Sequence, residues 1–186
     1  MSDFGPLPAV RAWMAVGRCV GMTAVLVARA RIHHPRELVG RELAFGDGTR
    51  ARVYRETRVD RAPPADPCVL VVAFRLRRVR GWGHTAFRLE SILNTPLFVG
   101  FPGMCTKLWL AHDERGVYRG LYEWDGPRAA EEYARSLWRV LALVSEPGSI
   151  DYRVVPGLRR DVLLEDPTVL SLGSEETAWW RLVAAA

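Results

Sequence analysis

Between Lys107 and Trp138 the order of residues leaves little choice of local structure. Lys107-Leu-Trp-Leu-Ala111 reads as a strand, His112-Asp-Glu-Arg-Gly116 as a turn, and Val117-Tyr-Arg-Gly-Leu-Tyr-Glu-Trp124 as an aromatic strand. Asp125-Gly126-Pro127 interrupts the ladder. A helix follows from about Arg128 to Val144, with proline suited to its first turn. Tyr133, Leu137 and Leu141, joined by Ala134 and Trp138, share its inward face, while Glu131 and Arg135 stand four apart on the outward one. The unit is a β-hairpin feeding a helix, and such a helix must cover the sheet it leaves.

The flanking segments extend this unit. Cys68 to Leu76 is a nearly unbroken apolar run rich in β-branched residues, the pattern of a central strand buried on both faces. Trp82, Ala86, Leu89 and Leu93 recur at helical spacing and stop before Pro96. Ile150 to Val155, closed by Pro156-Gly157, is a last strand. The order β-α-β-β-α-β from Cys68 to Val155 predicts an α+β, ferredoxin-like domain with both helices on one face of an antiparallel sheet. Its other face needs a cover. The expected one is a second subunit, giving a homodimer of the α+β-barrel kind.

Residues 1–64 read as an N-terminal extension, 65–158 as the main domain and 159–186 as a docking tail. Ala9 to Ile32 is apolar enough for a helix, turning to strand near Thr23, but Arg18 cuts the run and leaves Cys19 to Ala28 as its longest uncharged stretch. That is short of the twenty or so residues a spanning helix needs. Peripheral membrane contact through residues 9–32 is the minor alternative. Glu42 to Phe45, Gly46-Asp-Gly48 and Thr49 to Val59 form a β-hairpin with one wet face, and Ala62-Pro-Pro-Ala-Asp-Pro67 reads as a linker. In the tail, Ser174 caps an expected short helix carrying Trp179 and Trp180.

Composition excludes several classes. With 186 residues the chain fits one domain plus appendages, and 49% apolar with 25% charged residues is the balance of a folded protein. The net charge of +5 is spread along the whole chain, which argues against a nucleic-acid footprint. Lys107 is the single lysine among 26 basic residues, a bias that reads as coding preference. Cys19, Cys68 and Cys105 are isolated and odd in number, so they predict buried free thiols, a reducing cytoplasmic setting and no zinc site. His33 and His34 are adjacent and point apart, a poor chelating pair. Glycine-rich phosphate loops, H-E-x-x-H and G-x-S-x-G are missing from the sequence, so no metal and no cofactor is expected.

Three stretches, Lys107-Leu-Trp-Leu, Gly116-Val-Tyr-Arg-Gly-Leu-Tyr-Glu-Trp124 and Ala129-Ala-Glu-Glu-Tyr-Ala134, resemble the YdhR-type branch of the antibiotic-biosynthesis monooxygenase-like proteins. The resemblance covers about residues 68–155 and rests on short structural motifs. It implies a dimeric α+β barrel. The wider superfamily includes cofactor-free oxygenases of aromatic polyketides and quinones, polyketide cyclases, lactone isomerases and haem-degrading enzymes, so the reaction has to be argued from the site.

Period-2 alternation puts Tyr118, Gly120, Tyr122 and Trp124 on one face of their strand, with Gly120 as a gap between two tyrosines. Trp109 and Lys107 share a face of the neighbouring strand. The gap is filled by a residue of the following helix or opens as a slot for a flat ligand. In the second case Asn94, Trp109, Tyr118, Gly120, Trp124, Tyr133 and Trp138 are the expected lining. His84 is the expected base, Arg88 the oxyanion contact, and Tyr122 a further catalytic candidate. The leading reading is a pocket protein that oxidises or cyclises an aromatic, polyketide-like molecule without a cofactor. The alternative is a non-catalytic ligand-binding or assembly module using the N-terminal helix and the Trp179-Trp180 pair.

Overall fold

The computed structural model describes residues 5–77, 95–170 and 178–186. The elements in chain order are helix α1 (Ala9–Ala28), β1 (Ile32–His33), β2 (Glu42–Phe45), β3 (Arg50–Val59) and β4 (Pro67–Arg75). After a 3-10 turn at Thr95–Leu97 come β5 (Met104–Leu110), β6 (Val117–Asp125), α2 (Pro127–Leu141) and β7 (Asp151–Pro156). The tail adds α3 (Arg160–Glu165), a 3-10 turn at Pro167–Leu170 and β8 (Leu182–Ala185).

All strands pair antiparallel, in the order β7-β4-β6-β5-β3-β2-β8, with β1 beside β3. The first four of these strands carry the ferredoxin-like order expected of residues 68–155. Strand β4, buried from Cys68 to Ala73, lies between β6 and β7 as its apolar run demanded. Gly126, at φ 97°, makes the turn that lets Pro127 open α2. The first helix of the motif, expected over Trp82 to Asn94, lies outside the described residues. The proline-rich segment 62–67 joins two strands of one sheet, because β3 pairs with β5.

The alternation in each strand divides the interior into two cores. On one face Leu70, Val72, Trp109, Tyr122 and Trp124 meet Tyr133, Ala134 and Leu137 of α2 and Cys19 and Leu26 of α1. On the other, Val69, Val71, Leu108, Leu110 and Leu121 meet Leu43, Phe45 and Val53 of the β2–β3 hairpin, Leu163 and Leu164 of α3, and Leu182 of β8. The face for which a second subunit was expected is therefore covered by the chain's own hairpin and tail. A buried ion pair pins that cover: Arg160 and Glu56, each 1% exposed, meet at 2.8 Å. Arg119 does the same at the hairpin tips, binding Asp113 and, at 2.9 Å, Asp47.

Two local expectations are corrected. Helix α1 does not turn to strand near Thr23 but runs to Ala28, because Ala12, Val16, Cys19, Thr23 and Leu26 fall on one helical stripe that packs inward. It approaches so closely that a Cβ on Gly100 would sit 2.0 Å from the Cys19 carbonyl oxygen. In the tail, the described part of the expected Ser174 helix is a turn at Trp179-Trp180 followed by β8. Pairing with β2 satisfies that segment's backbone and buries Leu182. The two tryptophans dock, half-buried, on the second core, and Arg153 lies over Trp180 at 5.0 Å.

Candidate functional site

A cavity of about 220 Å³ lies on the first core's face, between β3–β5–β6–β4 and the C-terminal half of α2. Its position follows from register. Gly120 stands in β6 between Val72 of β4 and Trp109 of β5, and Tyr122 stands between Leu70 and Lys107. With no side chain at Gly120, the Tyr122 ring folds back over it. A Cβ there would meet the Tyr122 Cε2 at 2.7 Å. The gap above Gly120 is thus filled by its own strand's tyrosine, and the open space lies beside that ring.

Of the residues expected at the site, Trp109, Tyr118, Gly120, Tyr122 and Tyr133 line this cavity together. Trp124 does not. It is fully buried, 4.8 Å from Tyr133 by ring centroids, and serves the core. Trp138 packs edge-on against Tyr152 at 6.1 Å, clear of the cavity wall. His84, Arg88 and Asn94 lie outside the described residues. His112 is exposed in the hairpin turn, edge-on to Tyr118 at 5.5 Å.

The residue that sequence reasoning missed is Lys107. Its side chain is 5% exposed, and its Nζ lies 3.2 Å from the Trp109 ring centroid, 4.3 Å from Phe98 and 4.8 Å from Tyr122. Among the described residues no carboxylate pairs with it. Two effects compete for its proton. Aromatic faces favour an ammonium by about 0.5–2 kcal/mol each, whereas burying an unpaired ion costs several kcal/mol. Burial wins, and together with the Arg55 guanidinium nearby it drives the Lys107 pKa well below the usual lysine range. The amine is therefore biased toward its uncharged form relative to an ordinary lysine. One signal was available in the sequence: a chain that uses arginine for every other cation keeps lysine here, on the inward face of a strand.

The neighbours hold this amine in place. Trp109 donates its indole N–H to the Thr57 hydroxyl at 3.1 Å, fixing the ring beneath Lys107. Arg55 donates to Thr95 at 2.9 Å, and burial pulls its pKa down as well. Tyr133 donates to the Tyr122 hydroxyl at 3.1 Å, and burial raises the pKa of both phenols. They stay protonated at any physiological pH. An amine of lowered pKa beside two phenols, walled by Trp109, Phe98, Tyr54 and Tyr118, can in its uncharged form take a proton or attack an electrophile, and the aromatic wall can hold a flat ring by stacking. No metal-holding group of His, Cys, Asp or Glu occurs among the described residues.

No protein-family model matches this sequence, and no curated protein does. Solved structures with a similar chain path include a Listeria monocytogenes 4b F2365 protein, described as an uncharacterized ferredoxin fold protein related to antibiotic biosynthesis monooxygenases. It is 12% identical, with TM-score 0.41, over 60% of this chain and 66% of that one. Another is an anthrone oxidase-like protein, 13% identical, with TM-score 0.39, over 60% of this chain and 55% of that one. They identify no family. This chain spans about two thirds or less of either.

Proposed function

We propose that the protein binds a flat aromatic molecule of one or two rings, bearing an acidic hydroxyl, in the cavity beside Tyr122. We further propose that it acts on that molecule without a cofactor by oxidation or cyclisation. The observation that carries this is the buried Lys107 on the cavity wall, its pKa lowered by burial. An amine with no acceptor among the described residues gains most from a ligand that supplies one. A phenol or enol would pass its proton to Nζ, leaving ammonium and phenolate to satisfy each other where water is excluded. In this reading the base is Lys107; His84, the base expected from the sequence, lies outside the described residues. Size supports one or two rings: a cavity of about 150 Å³ holds benzene, and 220 Å³ exceeds that by about one further fused ring. An electron-rich phenolate held dry is the species that reacts with molecular oxygen or closes a ring. The test is titration with 2-naphthol at pH 7. The naphtholate absorption band should appear on binding to the native protein and be lost in Lys107→Met. Binding that leaves the spectrum of neutral naphthol unchanged would refute proton transfer, and no binding at all would refute the pocket.

A second reading concerns where the protein works. The outward face of α1 carries Val10, Trp13, Met14, Val20, Val25 and Val27, all more than 40% exposed, with Arg11, Arg18 and Arg29 exposed along one flank and no acidic residue on the helix. Its outline, about 30 Å by 10 Å for twenty residues, is far below the roughly 800 Å² per partner of a stable interface. A membrane surface suits it better than a second copy, since lipid needs no shape match and arginines at the rim reach anionic headgroups. By length and composition alone α1 could span a bilayer, but its inner stripe is packed on the protein. Co-flotation with phosphatidylserine vesicles that fails in Trp13→Glu/Met14→Glu is the expected result. Equal flotation of both would remove this reading.

A further inference from the structure

We infer that Lys107 is a nucleophile as well as a base: the amine forms an imine with an aromatic aldehyde or ketone bound in the same cavity. This rests on the pocket reading above and narrows its substrate class to carbonyl compounds of one or two rings. The geometry is that of an amine committed to nothing else. Lys107 Nζ sits among Trp109, Phe98 and Tyr122, with no hydrogen-bond acceptor or carboxylate paired to it among the described residues, and it borders open space. Free amine is the form that attacks carbonyl carbon, and burial beside a second cation, Arg55, is a recognised way to keep lysine in that form.

The step balances without an oxidant or cofactor. The Nζ lone pair forms a bond to the carbonyl carbon while the C=O π pair moves to oxygen. A proton passes from nitrogen to that oxygen to give a carbinolamine. The C–O bond then breaks, water leaves, and a C=N bond remains. Tyr122 and Tyr133, held as protonated phenols at the cavity wall, are the donors at hand for the departing oxygen. Once protonated, the imine draws electrons from the carbon next to it. In an alkyl aryl ketone the C–H on the alkyl carbon next to the imine carbon becomes acidic, and the bond-forming step of a ring closure becomes accessible; an aryl aldehyde stops at the imine. The enclosure also disfavours the return of water, so the adduct persists.

The chain makes the test unusually clean, since the only other amine is the N-terminus. The 186-residue chain is incubated at pH 7 with 2-naphthaldehyde, reduced with sodium borohydride, weighed intact and mapped by peptide. One addition per chain at Lys107 is expected, competed by excess 2-naphthol. It should form at least about tenfold faster than in the urea-unfolded chain, where an ordinary lysine is neutral in only about one molecule in two thousand. Lys107→Met should lose the addition while keeping the native circular dichroism spectrum and cooperative unfolding. An addition only at Met1, or none, with 2-naphthol still bound, overturns the imine and leaves the pocket standing. Failure of both adduct and 2-naphthol binding overturns the two together.

Discussion

Gly120→Ala is the smallest change that separates a slot from a packed core. The new methyl carbon would lie 2.7 Å from Tyr122 Cε2 and 3.0 Å from its Cζ and hydroxyl oxygen. Ordinary contact needs about 3.5–4.0 Å, so the ring must retreat by about 1 Å. Backbone strain does not enter, because φ at Gly120 is not positive. The ring cannot swing freely, being 2% exposed and tied by the 3.1 Å bond from Tyr133. Overpacking typically costs about 1–3 kcal/mol, and a stretched tyrosine–tyrosine bond adds about 0.5–1.5 kcal/mol. Gain from restricting the unfolded chain returns about 0.4–1 kcal/mol. The net expectation is a loss of about 1–3 kcal/mol, read as a lower urea midpoint at unchanged slope. Because the ring's retreat is toward the cavity, 2-naphthol affinity should fall as well. Unchanged stability together with unchanged affinity would refute the account of Tyr122 leaning over a glycine to shape the pocket.

Three further outcomes are expected. Lys107→Met should be more stable than wild type at pH 7, with the gap narrowing toward pH 10. The folded-state pKa is depressed, so between it and about 10.4 the unfolded chain binds one proton more than the native one. Wild-type stability then falls by up to about 1.4 kcal/mol for each unit the pH drops in that window. A constant gap in urea titrations from pH 6 to 10 would contradict the neutral amine. Arg160→Met leaves Glu56 buried with only the half-exposed Arg58, at 3.5 Å, as counter-ion. It should cost about 3–5 kcal/mol in chemical unfolding, and Glu56→Gln added to it should recover part of that. Gly100→Ala cannot be absorbed, since its Cβ would meet backbone atoms of α1, Cys19 O at 2.0 Å and Thr23 N at 2.8 Å. Amide exchange in 9–28 should quicken far more than in β4, and equal protection in both would contradict the close seat of α1.

Much of the fold was legible because it depends on neighbours in sequence. Alternation in Val117–Trp124 and Lys107–Leu110 assigned each side chain to a face, and the two cores divide along that line. The same alternation brought Trp109, Tyr118, Tyr122 and Tyr133 to one wall around Gly120. Trp124 and Trp138 obey the same periods yet miss the cavity, because period fixes direction and not position along the face. Tyr54 and Arg55 come from a strand some 50 residues away and Phe98 from the irregular segment before β5, and no strand or helix period places any of them beside Lys107. The strand Leu182–Ala185 was not legible in the tail because it exists only in partnership with β2, more than 130 residues earlier.

The sequence by itself determined the order of the described elements within residues 68–155, the two faces of each strand and the aromatic character of one of them, since these follow from side-chain periodicity and glycine and proline placement. Tertiary structure alone decided that the chain covers its own second face, that Tyr122 rather than a helix residue fills the gap at Gly120, and that the Lys107 pKa is lowered. A proton's free energy depends on every charge and every water within several ångströms, and those neighbours are assembled from β3, β5, β6 and the loop at Phe98. No window of sequence contains them all.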